Sequence, residues 1–188
     1  MKRVYIIGTQ HPYQMGIKAP RPPVPRFQEV LRQNIEKHGI AGIAEEMNDE
    51  WLKSCGVDAS VGEGVSKELG LPHKYCEASA ATRTALGIKS VLNPRREEFW
   101  MEVLMASFSV FPVLFICGSA HTRGFRALLT ASGFDADILY RNWPNSPDCL
   151  PGRSASNPTA AACTVRSSVP PQPRKTLNAG CPLQDPGR

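Results

Sequence analysis

No stretch of this sequence stays apolar for the roughly 18 residues that a membrane helix requires. The longest candidate, Ala106 to Ala120, is shorter and is broken by Pro112. A leader-like segment is missing as well. Met1-Lys-Arg runs directly into a strand of about six residues, with no longer apolar run and no small-residue cleavage site after it. A cytoplasmic protein without membrane contact is therefore expected. There is no Cys-x-x-Cys pair, and the six cysteines (55, 76, 117, 149, 163 and 181) are scattered, which argues against a disulfide scaffold or a structural zinc site. Gly62-Glu-Gly64 has neither a strand before it nor a Gly-Lys-Ser/Thr after it, so it does not read as a nucleotide loop. An excess of basic charge in the domain itself, outside a basic tail, is lacking too. Of the net +5, residues 151–188, with five Arg/Lys and one acid, carry +4, so residues 1–150 are nearly neutral and no nucleic-acid partner is expected.

What is present is an alternation of short apolar runs with helical patterns. Residues 3–8 read as a first strand, ending Val4-Tyr-Ile-Ile-Gly8-Thr-Gln-His11. A proline-rich loop follows from Pro12 to Pro25, stiff and unsuited to helix or sheet, and able to act as a flap over the His11 end. Phe27, Val30, Leu31 and Ile35 mark a helix over Arg26 to His38, stopped by Gly39. A second strand, Ile40 to Glu46, ends in two carboxylates, and a third, His73 to Glu77, ends in one. Residues 50–70 read as helical or loop-like, with a clearer turn at Val65-Ser-Lys-Glu-Leu69, and helices are expected around Ala80–Leu86 and from Pro94 to about Phe108. The fourth strand, 112–118, contains Val113-Leu-Phe-Ile-Cys-Gly118 and leads through Ser-Ala-His121 into a helix marked by Phe125, Leu128 and Leu129. Cys117 in that strand reads as a buried free thiol. A fifth strand lies near Ala136–Tyr140.

The pattern predicts an α/β domain over residues 1–143, with a mostly parallel, Rossmann-like sheet of about five strands and flanking helices. Residues 144–188 hold nine prolines and few aliphatics, the composition of a disordered tail. In parallel sheets ligands bind beyond the carboxyl ends of the strands. Here those ends carry His11, Glu45 or Glu46, Glu77 and His121. If the first and fourth strands are neighbours, the expected strand order is 3-2-1-4-5. The two histidines then share a site, with Glu45/Glu46 on the strand flanking His11 from the other side. Adjacent residues of a strand point to opposite faces, so regular geometry delivers only one of Glu45 and Glu46 to that site. Two imidazoles with a carboxylate fit either of two chemistries. They can ligate a divalent ion that activates water, or a histidine can act as general base beside an orienting carboxylate without metal. His38 and His73 read instead as ordinary hydrogen-bonded or solvated histidines.

Two strand-Gly-x-x-His turns (Gly8 to His11, Gly118 to His121) with the pair Glu45-Glu46 resemble the TraB/Tiki group of the erythromycin esterase/ChaN-like superfamily. Arg96, in Pro94-Arg-Arg-Glu-Glu-Phe-Trp100, resembles that family's arginine on the helix before the last Gly-x-x-His strand. The likeness covers about residues 3–143. It implies a hydrolase, metal-dependent in the Tiki-like branch and using His and Glu without metal in the esterase-like branch. On this reading His11, His121 and Glu45 or Glu46 hold Zn, Mn or Co, which suit imidazole better than Mg does. Glu45 or Glu46 then completes the ligand set or acts as base, and Arg96 takes an anionic group of a small-molecule or peptide substrate, or a transition-state oxygen. The chain is shorter than those relatives and lacks their pocket-shaping helices. A non-catalytic metal- or ligand-binding module on the same fold is the alternative.

Overall fold

The computed structural model describes residues 2–17, 23–90, 93–144 and 146–147. In chain order the elements are β1 (Arg3–Thr9), α1 (His11–Met15), α2 (Val24–His38), β2 (Gly42–Glu45), α3 (Asp49–Ser54), α4 (Val61–Leu69), β3 (His73–Tyr75), α5 (Ala80–Ala85), α6 (Pro94–Ser107), β4 (Val113–Gly118), α7 (Thr122–Ala131), β5 (Asp135–Trp143) and β6 (Ser146–Pro147). The first five strands are parallel, and β6 pairs antiparallel with β5. The α/β class with a parallel sheet is the one the sequence predicts.

The strand order is β3-β2-β4-β1-β5-β6, which corrects the expected 3-2-1-4-5. β1 and β4 are neighbours as anticipated, but β4 lies on the other side of β1, inserted between β1 and β2. Local pattern does not distinguish the two arrangements, because either buries the same apolar runs. The chain moves one way along the sheet from β1 to β3 and the other way from β3 to β5. Right-handed connections then place the intervening helices on opposite faces.

Two cores result. Phe27, Leu31, Ile43, Val65, Leu114 and Ile116 fill the α2/α4 face. Val4, Ile6, Trp100, Leu104, Phe115 and Phe125 fill the α6/α7 face. The alternation along β4, with Leu114 and Ile116 on one side and Val113, Phe115 and Cys117 on the other, is the period-two geometry of a strand buried on both faces. Cys76 and Cys117 are buried free thiols, and burial pushes the Cys76 thiol up to about 12.

Prolines are used differently from the expectation. Pro12 and Pro25 stand in the first turns of α1 and α2, where a missing N–H costs nothing. The segment expected to be loop from Pro12 therefore begins as a helical turn, and α2 starts two residues earlier than Arg26. Residues 18–22 of the proposed flap and nearly all of the expected tail lie outside the described residues. Past Trp143, where the domain was expected to end, Ser146–Pro147 continue the sheet against Tyr140 and Asn142.

Candidate functional site

The carboxyl ends of β2, β4 and β1, three adjacent strands, build one polar cluster. β4 contributes the turn Gly118–His121, in which the His121 N–H donates to the Gly118 carbonyl at 3.0 Å and His121 becomes the N-cap of α7. β1 contributes His11, the first residue of α1. β2 contributes Glu46, one residue past the strand, whose own N–H donates to the Ile116 carbonyl at 2.8 Å. Inserting β4 between β1 and β2 sets both His11 and Glu46 beside Gly118. A Cβ added there would lie 3.2 Å from Glu46 Oε2 and 3.7 Å from the His11 ring.

Arg96, buried on α6, is the centre of charge. Its Nη2 donates to Glu46 Oε1 at 2.9 Å and to Glu77 Oε2 at 2.7 Å, and its Nε points to Glu77 at 3.2 Å. Its Nη1 lies 3.3 Å from His121 Nε2. Glu46 spends its second oxygen on the Gly118 N–H at 2.6 Å, and Glu77 accepts from the Trp100 indole at 2.9 Å. Arg96 stays charged despite its burial, because Glu46 and Glu77 hold its affinity for the proton above the ordinary value. His121, 3% exposed, has its Nδ1 2.9 Å from Glu97 Oε1. With Nδ1–H donating to Glu97, Nε2 is the acceptor that faces Arg96.

His11 differs from its neighbours. It is half-buried, with its ring edge-on to Trp51 at 4.5 Å between centroids. Burial lowers its pKa, Arg96 and His121 push it the same way, and Glu46 and the Gln14 side chain oppose them. The side chain of Gln14, fully buried on the same helix, interacts with His11, but neither its amide atoms nor the buried His11 Nδ1 makes a well-formed hydrogen bond among the described residues.

The cluster therefore brings together His11, Glu46, Arg96 and His121. It does not include Glu45, which turns to the α4 face, accepts from the Ser60 hydroxyl and lies 2.7 Å from His73 Nε2. His73 is the hydrogen-bonded histidine anticipated. Glu97 and Gln14 were missed from sequence. The signal for Glu97 was Gly124, an interior helical glycine whose added Cβ would lie 2.7 Å from Glu97 Oε2.

The residues present do not fit the expected metal centre. Among the described residues no group of three or more His, Cys, Asp or Glu is placed to hold an ion. Glu46 uses both oxygens on protein donors, His121 has both nitrogens engaged, and the guanidinium of Arg96 occupies the position of the central cation. The same geometry removes Arg96 from the role of substrate clamp, since its N–H groups are directed at Glu46, Glu77 and His121. Comparison with family models, with curated proteins and with solved structures finds no match. The functional reading therefore rests on the site itself.

Proposed function

We propose that the carboxyl end of this sheet is a metal-independent hydrolytic site in which His11 is the general base, acting on small ester substrates. One observation carries the reading: a half-buried imidazole, its proton affinity lowered by burial, stands against a fixed Glu46–Arg96–His121 network, with polar atoms of its own helix beside it that have no well-formed hydrogen bond among the described residues. Buried polar atoms without partners cost about 1–3 kcal/mol each, so a bound water or substrate oxygen near His11 and Gln14 offsets a real penalty. In the reaction His11 takes a proton from water as the oxygen attacks the acyl carbon. The imidazolium then returns that proton to the leaving alkoxide. Glu46, held by Arg96 and the Gly118 N–H, stabilises the imidazolium electrostatically. Glu97 and Arg96 fix His121 in the wall of the site.

The test is a panel of short-chain p-nitrophenyl esters, with and without chelator. Expected are chelator-insensitive hydrolysis, an acid limb in kcat/KM with its midpoint below the free-histidine value of about 6.5, and a loss of about 10²–10⁴-fold in His11→Asn. His73→Asn keeps wild-type activity. Hydrolysis that chelator abolishes and Zn, Mn or Co restores returns the assignment to the metal-dependent branch; no turnover of any ester removes the hydrolase reading.

A further inference from the structure

Gln14 has no part in the hydrolysis written above, yet it is fully buried on α1, three residues after His11 and so beside it along the helix. An amide sealed from water needs hydrogen bonds. Neither Gln14 Oε1 nor Nε2 makes a well-formed one among the described residues, and the same holds for His11 Nδ1. Each is the group the other lacks. Gln14 bears on the ring as a hydrogen-bonding side chain, whereas Glu46, Arg96 and His121 bear on it as charges. The direction of its effect names the atom involved. Gln14 raises the ring's affinity for a proton, as an accepting amide oxygen does; an amide N–H donating to a ring lone pair would lower it.

The Cε1–Nε2 edge of the ring faces the strand ends. These two atoms lie 3.7 and 3.8 Å from the point that a Gly118 Cβ would take, and Glu46 Oε2 lies 3.2 Å from the same point. Of the two ring nitrogens, only Nδ1 is among the sealed atoms without a well-formed bond. Trp51 packs edge-on against the ring at 4.5 Å between centroids, which restrains it from turning over. A neutral imidazole in water carries its proton mainly on Nε2. That tautomer would here set a bare Nδ1 lone pair against the amide oxygen and occupy the nitrogen that faces Gly118. The opposite tautomer gives the buried oxygen a donor and leaves the outward nitrogen bare.

We propose that Gln14 is the positioning residue of His11: its amide oxygen accepts the proton on Nδ1 and leaves the lone pair on Nε2, toward Gly118 and Glu46. That Nε2 takes the proton of the attacking water rests on the hydrolase reading; the tautomer itself does not. The test is nitrogen-15 NMR of the histidine rings in the full chain at about pH 8, above the reference histidine value. The His11 signals are those lost in His11→Asn. Expected are a protonated Nδ1 and a bare Nε2. In Gln14→Met, an apolar side chain of similar length, the ring should revert toward the Nε2–H form. Its kcat on the p-nitrophenyl esters should fall about 10- to 100-fold, as when an outer partner that orients a histidine is removed, with KM little changed. Gln14→Glu, which keeps an acceptor at the same reach, should retain the Nδ1–H form. An Nε2–H ring in the parent overturns the proposal, whether or not the variants fold, and so does a Gln14→Met ring with the parent's tautomer. If the tautomers are as expected and no ester is hydrolysed, the hydrolase reading falls and the role of Gln14 stands.

Discussion

Two histidines that look equivalent in sequence are given different chemistry by their partners. His121 has Glu97 on one nitrogen and Arg96 on the other, so its tautomer is set and its lone pair is occupied. His11 keeps a buried nitrogen without a well-formed hydrogen bond among the described residues and a depressed proton affinity. The latter has a consequence for stability. The unfolded chain protonates His11 near the reference value of about 6.5, whereas the folded chain resists until lower pH. The unfolded state therefore binds more protons in that window, and the stability present above about 6.5 is lost as pH falls through the folded value. In His11→Asn, urea midpoints measured from pH 7.5 to 5 should decline less steeply than in the parent; an unchanged slope shows that His11 is not buried as described. Arg96 offers the complementary test. Arg96→Met leaves Glu46 and Glu77 facing each other without their shared cation, and breaking a buried ion pair in this way costs about 3–5 kcal/mol. Denaturant unfolding at pH 7.5 reads the loss, and lowering the pH should recover part of it by protonating the stranded carboxylates.

Elements place these residues through close backbone approaches more than through helix or strand propensity. α6 is capped by the Asn93 side chain accepting from the Arg95 N–H at 3.0 Å, and it starts on Pro94. Arg96, Trp100 and Leu104 then fall one turn apart on its buried side. β5 leans across β1 only because Gly8 has no side chain. Gly8→Ala drives a methyl into the Arg141 backbone, which cannot rotate away as a side chain can, so a loss of at least about 1–3 kcal/mol is expected. Gly64 is the matched control. It is an interior residue of α4 with nothing within 4 Å of an added Cβ. Gly64→Ala should raise stability by roughly 0.5–1 kcal/mol through helix propensity. Paired urea melts that gave the two substitutions the same sign would contradict the described packing of β5 on β1.

At the scale of the molecule, one sheet is shared by two cores, so neither face has a fold of its own. Leu31 belongs to the α2 side and Leu129 to the α7 side, and both are fully buried. Leu31→Ala and Leu129→Ala should each cost about 2–5 kcal/mol. Because the two sites are separated by the sheet, the double variant should show the sum to within about 0.5 kcal/mol. Tryptophan fluorescence and far-ultraviolet circular dichroism should give one coincident midpoint for each variant. Separate midpoints for the two probes would mean that the faces unfold independently. No helix among the described residues is long and apolar enough to cross a membrane, in line with the absence of any such run in the sequence.

The elements themselves were legible along the chain. Apolar runs of strand length, helical spacing such as Phe27-Val30-Leu31, and terminators such as Gly39 are local consequences of backbone geometry, and they predicted the parallel α/β class. The strand-end positions of His11, Glu46 and His121 followed from the same logic, as did the divergence of Glu45 from Glu46. Tertiary structure alone decided the rest. The placing of β4 between β2 and β1 depends on which crossovers pack best. That choice put Glu46 beside Gly118 and left Arg96 the central cation where a metal was expected. Glu97 could not be read as part of the site from the linear pattern. Its place beside His121 depends on Gly124 making room across a helix–helix contact. That contact arises from residues brought together across the fold, and a linear pattern carries no record of such distances.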